Sequence, residues 1–260
     1  MAIIDVGEVR LHCRWEALNA GPALVLSNSL GSALEMWRPQ VDPFCSVFRL
    51  LRYDTRGHGL SSVPPGPYSI AQLGSDVLRL LDAHGIERTH FCGLSMGGIV
   101  GMWLGVNAPD RIDRLVLSNT TPWLGPPQVM DARIELVRKA GLAGLADATM
   151  ERWFTPEFRA ADPQTVQRIR DQLVATSPEG YIACCEALRD NDLRSDLSRI
   201  QARTMVITGT DDPTSPPSAA LAMAAAIPGA RCVELPAAHL SNLGAAAAFN
   251  ATVLGFLLGK

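Results

Sequence analysis

No stretch of this 260-residue chain approaches the ~20 consecutive apolar residues that a membrane-spanning helix requires, and the first residues carry no basic-then-apolar leader pattern. An excess of positive charge is missing too. Lys and Arg number 23 against 26 Asp and Glu, a net charge of −3, so there is no basic field to hold nucleic acid. The six cysteines form no C-x-x-C pair of the metal-binding kind, and Cys184 and Cys185, being adjacent, are poorly placed to bridge each other. A reducing cytoplasm is the compartment such cysteine usage predicts, with Cys92 packed as a small apolar side chain. Repeats and low-complexity tracts are also absent, apart from alanine-rich stretches near the C-terminus. The balance left by these absences is that of an ordinary soluble enzyme.

What the chain does have is a rhythm. Short apolar runs alternate with helix-compatible stretches, which predicts an α/β fold with a mostly parallel sheet covered on both faces. Val9 to Glu16 alternates and is placed to pair with Ile3 to Val6 as an opening hairpin. Ala23–Ser27, Phe48–Tyr53, Arg88–Cys92, Ile112–Leu117, Thr204–Thr208 and Arg231–Leu235 read as further strands. Between Ile70 and His84 the spacing of Ile70, Leu73, Val77, Leu80 and Leu81 predicts an amphipathic helix ending at Gly85. After Leu117 the rhythm stops and does not resume until Thr204. Residues 122–198 are therefore expected to form a helical cap inserted into a core of residues 1–121 and 199–260.

Chemistry enters at Gly93-Leu94-Ser95-Met96-Gly97. G-x-S-x-G between an apolar strand and a helix-compatible run, Ile99 to Val106, reads as a nucleophile elbow, a sharp turn that pushes the serine hydroxyl out of the sheet. Gly93 and Gly97 supply the close backbone packing this turn forces, with Gly98 as extra relief. A serine hydroxyl is a poor nucleophile at neutral pH and needs a base and an orienting acid. In hydrolases with this elbow the acid comes next along the chain and the histidine last. His239 is the only histidine after Ser95, and it follows directly on the Arg231–Leu235 strand. The acid is offered twice, as Asp211 and Asp212, just past the Thr204–Thr208 strand. An oxyanion formed by attack of Ser95 requires backbone N–H donors. One is the amide of Met96; the second is expected from the loop Asn28-Ser29-Leu30-Gly31-Ser32, at Leu30.

Together with the Asp54-Thr55-Arg56-Gly57-His58-Gly59-Leu60-Ser61 loop, these residues make the chain resemble an α/β-hydrolase over nearly its whole length. Gly209, Asp212 and Pro216 align with the family's G-x-x-D-x-x-x-P stretch, which selects Asp212 as the acid and leaves Asp211 as a solvated turn residue. One departure is Asn28-Ser29, where many members carry His-Gly. More narrowly, the chain resembles bacterial 3-oxoadipate enol-lactonases. That match is carried by Asn28-Ser29-Leu30-Gly31, Ala132-Arg133-Ile134, Arg152-Trp153-Phe154-Thr155-Pro156, Tyr181 to Arg194, and His239-Leu240-Ser241-Asn242.

The resemblance implies a small lactone substrate with a free acetate arm, and neither metal nor cofactor. A carboxylate in a pocket calls for a guanidinium, which binds both oxygens. Arg133, flanked by apolar residues, is the first candidate, while Arg138, Arg168 and Arg170 read as solvated. Trp123 and Trp153 are expected to wall the pocket. His58 is read as structural, and His12, His84 and His90 as surface or strand residues without metal spacing. The competing readings are another carboxylesterase, lactonase or cofactor-free perhydrolase of the same fold, and a non-catalytic ligand-binding module.

Overall fold

The computed structural model describes residues 2–259 and joins the strands into one eight-stranded sheet. They are β1 (Ala2–Asp5), β2 (Arg10–Glu16), β3 (Ala23–Ser27), β4 (Arg49–Tyr53), β5 (Thr89–Leu94), β6 (Ile112–Ser118), β7 (Arg203–Gly209) and β8 (Arg231–Leu235). Their order across the sheet is β1-β2-β4-β3-β5-β6-β7-β8. The hairpin read from the sequence forms, with Ile3 opposite His12, and β2 pairs antiparallel with β4. Every later pairing is parallel. All residues of β3 and β5 are buried, as continuous apolar runs must be when helices cover both faces of a parallel sheet.

Sheet order decides where chemistry can sit. β4 lies on one side of β3 and β5 on the other, so the winding reverses there and leaves a crevice beyond the carboxyl ends of β3 and β5. The loop after β3 and the elbow after β5 both open into it. Helices α1 (Arg38–Cys45), α2 (Ile70–Ala83) and α3 (Met96–Asn107) flank this half of the sheet. α2 starts on a reciprocal Ser69–Gln72 capping box and stops as expected at Gly85, whose φ of +64° continues no helix.

Between β6 and β7 the described chain is helical: α4 (Gln128–Ala140), α5 (Ala143–Trp153), α6 (Pro156–Ala161), α7 (Pro163–Ala175) and α8 (Pro178–Arg189). The starts of the last three are written in the sequence as Thr-Pro, Asp-Pro and Ser-Pro. Thr155, Asp162 and Ser177 accept hydrogen bonds from the amides of Phe158, Thr165 and Gly180, and proline takes the first helical position. This segment meets the core without clearance. A Cβ on Gly57 would lie 2.6 Å from the Gly180 Cα, and one on Gly31 would lie 2.5 Å from the Leu173 side chain. α9 (Pro217–Ala226), α10 (Ser241–Gly244) and α11 (Ala246–Leu257) complete the core. No described helix is long and apolar enough to cross a membrane.

Candidate active site

Ser95 lies at the end of β5 and caps α3 with φ +56° and ψ −115°, a strained backbone for a residue with a Cβ. The surroundings hold it there. Its amide donates to the Ser118 carbonyl at 2.9 Å, and its own carbonyl accepts from Thr120 Oγ1 at 2.8 Å. The flanking glycines are steric necessities: a Cβ on Gly93 would meet the Gly97 carbonyl at 2.1 Å, and one on Gly97 would meet the Ser27 carbonyl at 2.2 Å.

His239 and Asp212 arrive from loops after β8 and β7, and both are buried. The imidazole Nδ1–H donates to the Asp212 carboxylate, 2.9 Å from Oδ2 and 3.1 Å from Oδ1. Asp212 is cradled further by the Thr214 and Ser215 amides at 2.8 and 3.1 Å and by Asn119 Nδ2 at 3.0 Å. Burial by itself raises the Asp212 pKa, but the adjacent His239 and these donors outweigh it and hold the carboxyl below its ordinary range. Asp211 is exposed and accepts only from its neighbour Thr210 Oγ1. The structure thus brings Ser95, Asp212 and His239 to one place and leaves Asp211 outside it.

The two expected oxyanion donors lie in the loop after β3 and at the start of α3. Neither the Leu30 nor the Met96 amide donates to another described group, although both residues are buried. Met96 is the first residue of α3, where the helix dipole adds positive potential. The Gly97 amide donates to the Asn28 carbonyl at 3.0 Å, tying the elbow helix to the β3 loop and fixing the two donors relative to each other. Asn28 is itself pinned, giving a hydrogen bond to the Tyr53 carbonyl at 2.7 Å and taking one from Trp37 Nε1 at 2.9 Å. This side chain thereby braces the loop.

Ser95, His239, Leu30, Arg133 and Trp153 line one cavity of about 300 Å³. Trp153 also fastens α5 to the histidine loop, since its carbonyl accepts from the Leu240 amide at 3.1 Å. Trp123 does not reach the cavity. Its indole is turned to the Arg194 guanidinium, which lies 4.1 Å above the ring, and Leu124 lines the wall instead. Arg152, on the turn of α5 before Trp153, was not singled out by sequence reasoning and lines the cavity with Arg133. Burial and the neighbouring Arg133 both lower its pKa. Arg138, Arg170, Arg189 and Arg194 pair with carboxylates, whereas neither Arg133 nor Arg152 has one within reach among the described residues. Among the described residues, the side-chain hydrogen-bond partner of Arg152 is Thr149 Oγ1 at 3.0 Å.

Asn119 is the second residue that sequence reasoning missed. It follows β6 with φ +47°, a backbone position that asparagine tolerates better than most residues, and its amide reaches Asp212. No spacing rule points to it. Arg152 did leave a signal, in the Arg152-Trp153-Phe154-Thr155-Pro156 motif.

A serine on a strained strand-to-helix turn, an imidazole aimed by a buried carboxylate and two free backbone amides define a hydrolase of the α/β type. The family model for the alpha/beta hydrolase fold matches residues 22–246, and the chain belongs to that family. It is 42% identical over 232 residues to 3-oxoadipate enol-lactonase 2 of Acinetobacter baylyi, covering 89% of this chain and 87% of that protein. A solved enol-lactonase from Burkholderia xenovorans LB400 superposes with a TM-score of 0.97 at 45% identity, over 99% of this chain and 100% of that one. A putative carbamate hydrolase of Caulobacter sp. is 32% identical over 95% of this chain and 96% of its own length. With these relatives, the chain is a carboxylic-ester hydrolase.

Proposed function

We propose that this enzyme opens 3-oxoadipate enol-lactone to 3-oxoadipate, the ring-opening step of the β-ketoadipate route of aromatic degradation, with residues 122–198 acting as the cap over the site. The observation that carries this reading is the pair of uncompensated guanidiniums, Arg133 and Arg152, in the cavity that holds Ser95 and His239. Two cations without counter-ions are costly to keep partly buried, and they suit a substrate that brings its own carboxylate. The small cavity fits a single lactone ring better than a long acyl chain. The enol-lactonase relatives support the same choice.

In this mechanism His239 Nε2 takes the Ser95 proton as Oγ attacks the lactone carbonyl, and Asp212 stabilises the imidazolium. The tetrahedral oxyanion is held by the Leu30 and Met96 amides. Its collapse breaks the ring C–O bond, and the enolate oxygen leaves with the proton returned by His239. The released enol ketonises, which removes the group that would re-close the ring. Water, deprotonated by His239, then attacks the acyl-serine, and Ser95 recovers its proton as the second carboxylate is released. Arg133 and Arg152 hold the acetate arm throughout. The test is turnover of the enol-lactone beside an uncharged lactone, a 4-nitrophenyl ester and a carbamate, with Ser95→Ala as control. Preference for the acid lactone, lost in Ser95→Ala, is expected; equal or better turnover of the carbamate would overturn the substrate assignment. Ligand binding without any turnover would favour a binding module.

A further inference from the structure

His58 is a buried imidazole that the triad does not use. Its two ring nitrogens have partners of opposite kind. Nε2 faces the Gly31 amide at 2.9 Å, and Nδ1 faces the Arg56 carbonyl at 3.2 Å. A backbone N–H only donates and a carbonyl only accepts, so the ring must carry its proton on Nδ1 and offer the Nε2 lone pair to Gly31. Burial suits this neutral form and brings the pKa down to about 4, against the upward pull of the Arg56 carbonyl and of Asp54.

The amide that His58 holds belongs to the oxyanion turn. Ser32 N–H donates to the Ser29 carbonyl at 3.2 Å, closing a four-residue turn with Leu30 and Gly31 at its centre. Gly31 has φ +76° while Leu30 does not enter the positive region, which is the geometry of a type II turn. In such a turn the central peptide, Leu30 carbonyl to Gly31 amide, is the unit that flips when type II converts to type I. Its N–H is the group bonded to His58. A flip would break that bond and turn ψ of Leu30 and φ of Gly31, releasing the turn that carries the Leu30 amide, the expected oxyanion donor, one peptide earlier. The cap packs on the same turn, with the Leu173 and Tyr181 side chains 2.5 and 3.0 Å from where a Cβ on Gly31 would lie.

We propose that His58 is a positioning residue of the oxyanion hole: its Nε2 lone pair anchors the Leu30–Gly31 peptide and so holds the Ser29–Ser32 turn in the form that aims the Leu30 amide, one peptide earlier, at the reacting carbonyl. The proposal rests on the Ser95 mechanism above but not on the identity of the lactone. It is therefore tested with 4-nitrophenyl acetate, which needs no cap cation. His58→Leu removes the acceptor; His58→Gln restores one at similar reach. Expected is a fall in kcat of roughly 10- to 100-fold for His58→Leu with KM within about twofold, and recovery to within about threefold of the parent in His58→Gln. Equal losses in both variants, a loss confined to KM, or an unchanged kcat in a folded His58→Leu would overturn the proposal. If Ser95→Ala retained activity, the underlying mechanism would fall instead, so the two failures are distinguishable. Should His58→Leu not fold, the unmodified protein still decides. In 15N-labelled enzyme a scalar coupling across the Gly31 N–H···Nε2 bond is expected, and its absence, or an Nε2-protonated His58 ring, would overturn the proposal.

Discussion

Arg152 and Arg133 face one cavity from successive helices, and among the described residues no carboxylate lines it with them. The charge of Arg133 lowers the pKa of Arg152, on top of the effect of burial. Removing either guanidinium should therefore affect charged and uncharged substrates differently. For the acid lactone, Arg133→Ala and Arg152→Ala should each cost about 2–4 kcal/mol in kcat/KM, a factor of roughly 30 to 1,000. A 4-nitrophenyl ester should be hydrolysed almost as before. Equal losses on both substrates would return these arginines to a structural role.

The same pair should trade stability for binding. Without ligand, Arg152→Met removes a like-charge contact, so its Tm should equal or exceed that of the parent enzyme. Added malonate or succinate should raise the Tm of the parent by filling the site and leave Arg152→Met unmoved. Thermal melts with and without the dicarboxylate check both parts. A Tm rise retained in the variant would place the anion elsewhere.

Ser95→Ala and His239→Ala should each lower kcat on the order of 10⁴-fold or more. Asp212→Asn should be severe, because the carboxylate both orients the Nδ1–H tautomer and stabilises the imidazolium. Asp211→Asn, changing an exposed side chain, should be mild. Steady-state kinetics on one ester suffice, and a worse result for Asp211→Asn would reverse the assignment.

Acid should destabilise the fold partly through His58. Burial lowers its pKa from 6.5 to about 4, so between those values the unfolded chain binds a proton that the folded protein refuses. Its contribution is fully present above pH 6.5, is lost as pH falls toward about 4, and is worth roughly 3 kcal/mol across that window. His90, also lowered by burial, adds in the same direction. Urea unfolding at several pH values should show a shallower slope over this window in His58→Gln. An unchanged slope would mean that His58 does not resist protonation in the folded state.

The seam between the helical segment and the core should tolerate no side chain. A Cβ on Gly180 would sit 2.3 Å from the Gly57 carbonyl oxygen, against backbone that cannot swing aside. Gly180→Ala should lower stability by about 1–3 kcal/mol and weaken turnover of all substrates together. A melt and two assays test this; full stability would mean the helices lift off the core readily.

Much of this protein was legible before any coordinates. Sheet strands, the α2 helix with its stop at Gly85, and the glycines around Ser95 are local matters of periodicity, capping and backbone sterics, which short windows of sequence determine. Strand-end placement pointed to His239 and to the Asp211-Asp212 pair, while the order of the three groups and the choice of Asp212 came from the resemblance to α/β-hydrolases. Tertiary structure alone decided which side chains share a cavity. Trp123 and Trp153 look alike in sequence, yet one lies under Arg194 and the other walls the site. Arg133 and Arg152 sit on different helices, and only the packing of α4 against α5 shows that they meet without a counter-ion. Asn119 and His58 form hydrogen bonds with Asp212 and Gly31, residues 93 and 27 positions away along the chain. Contacts over such separations depend on where the whole sheet carries the loops, and no local preference of the residues involved encodes them.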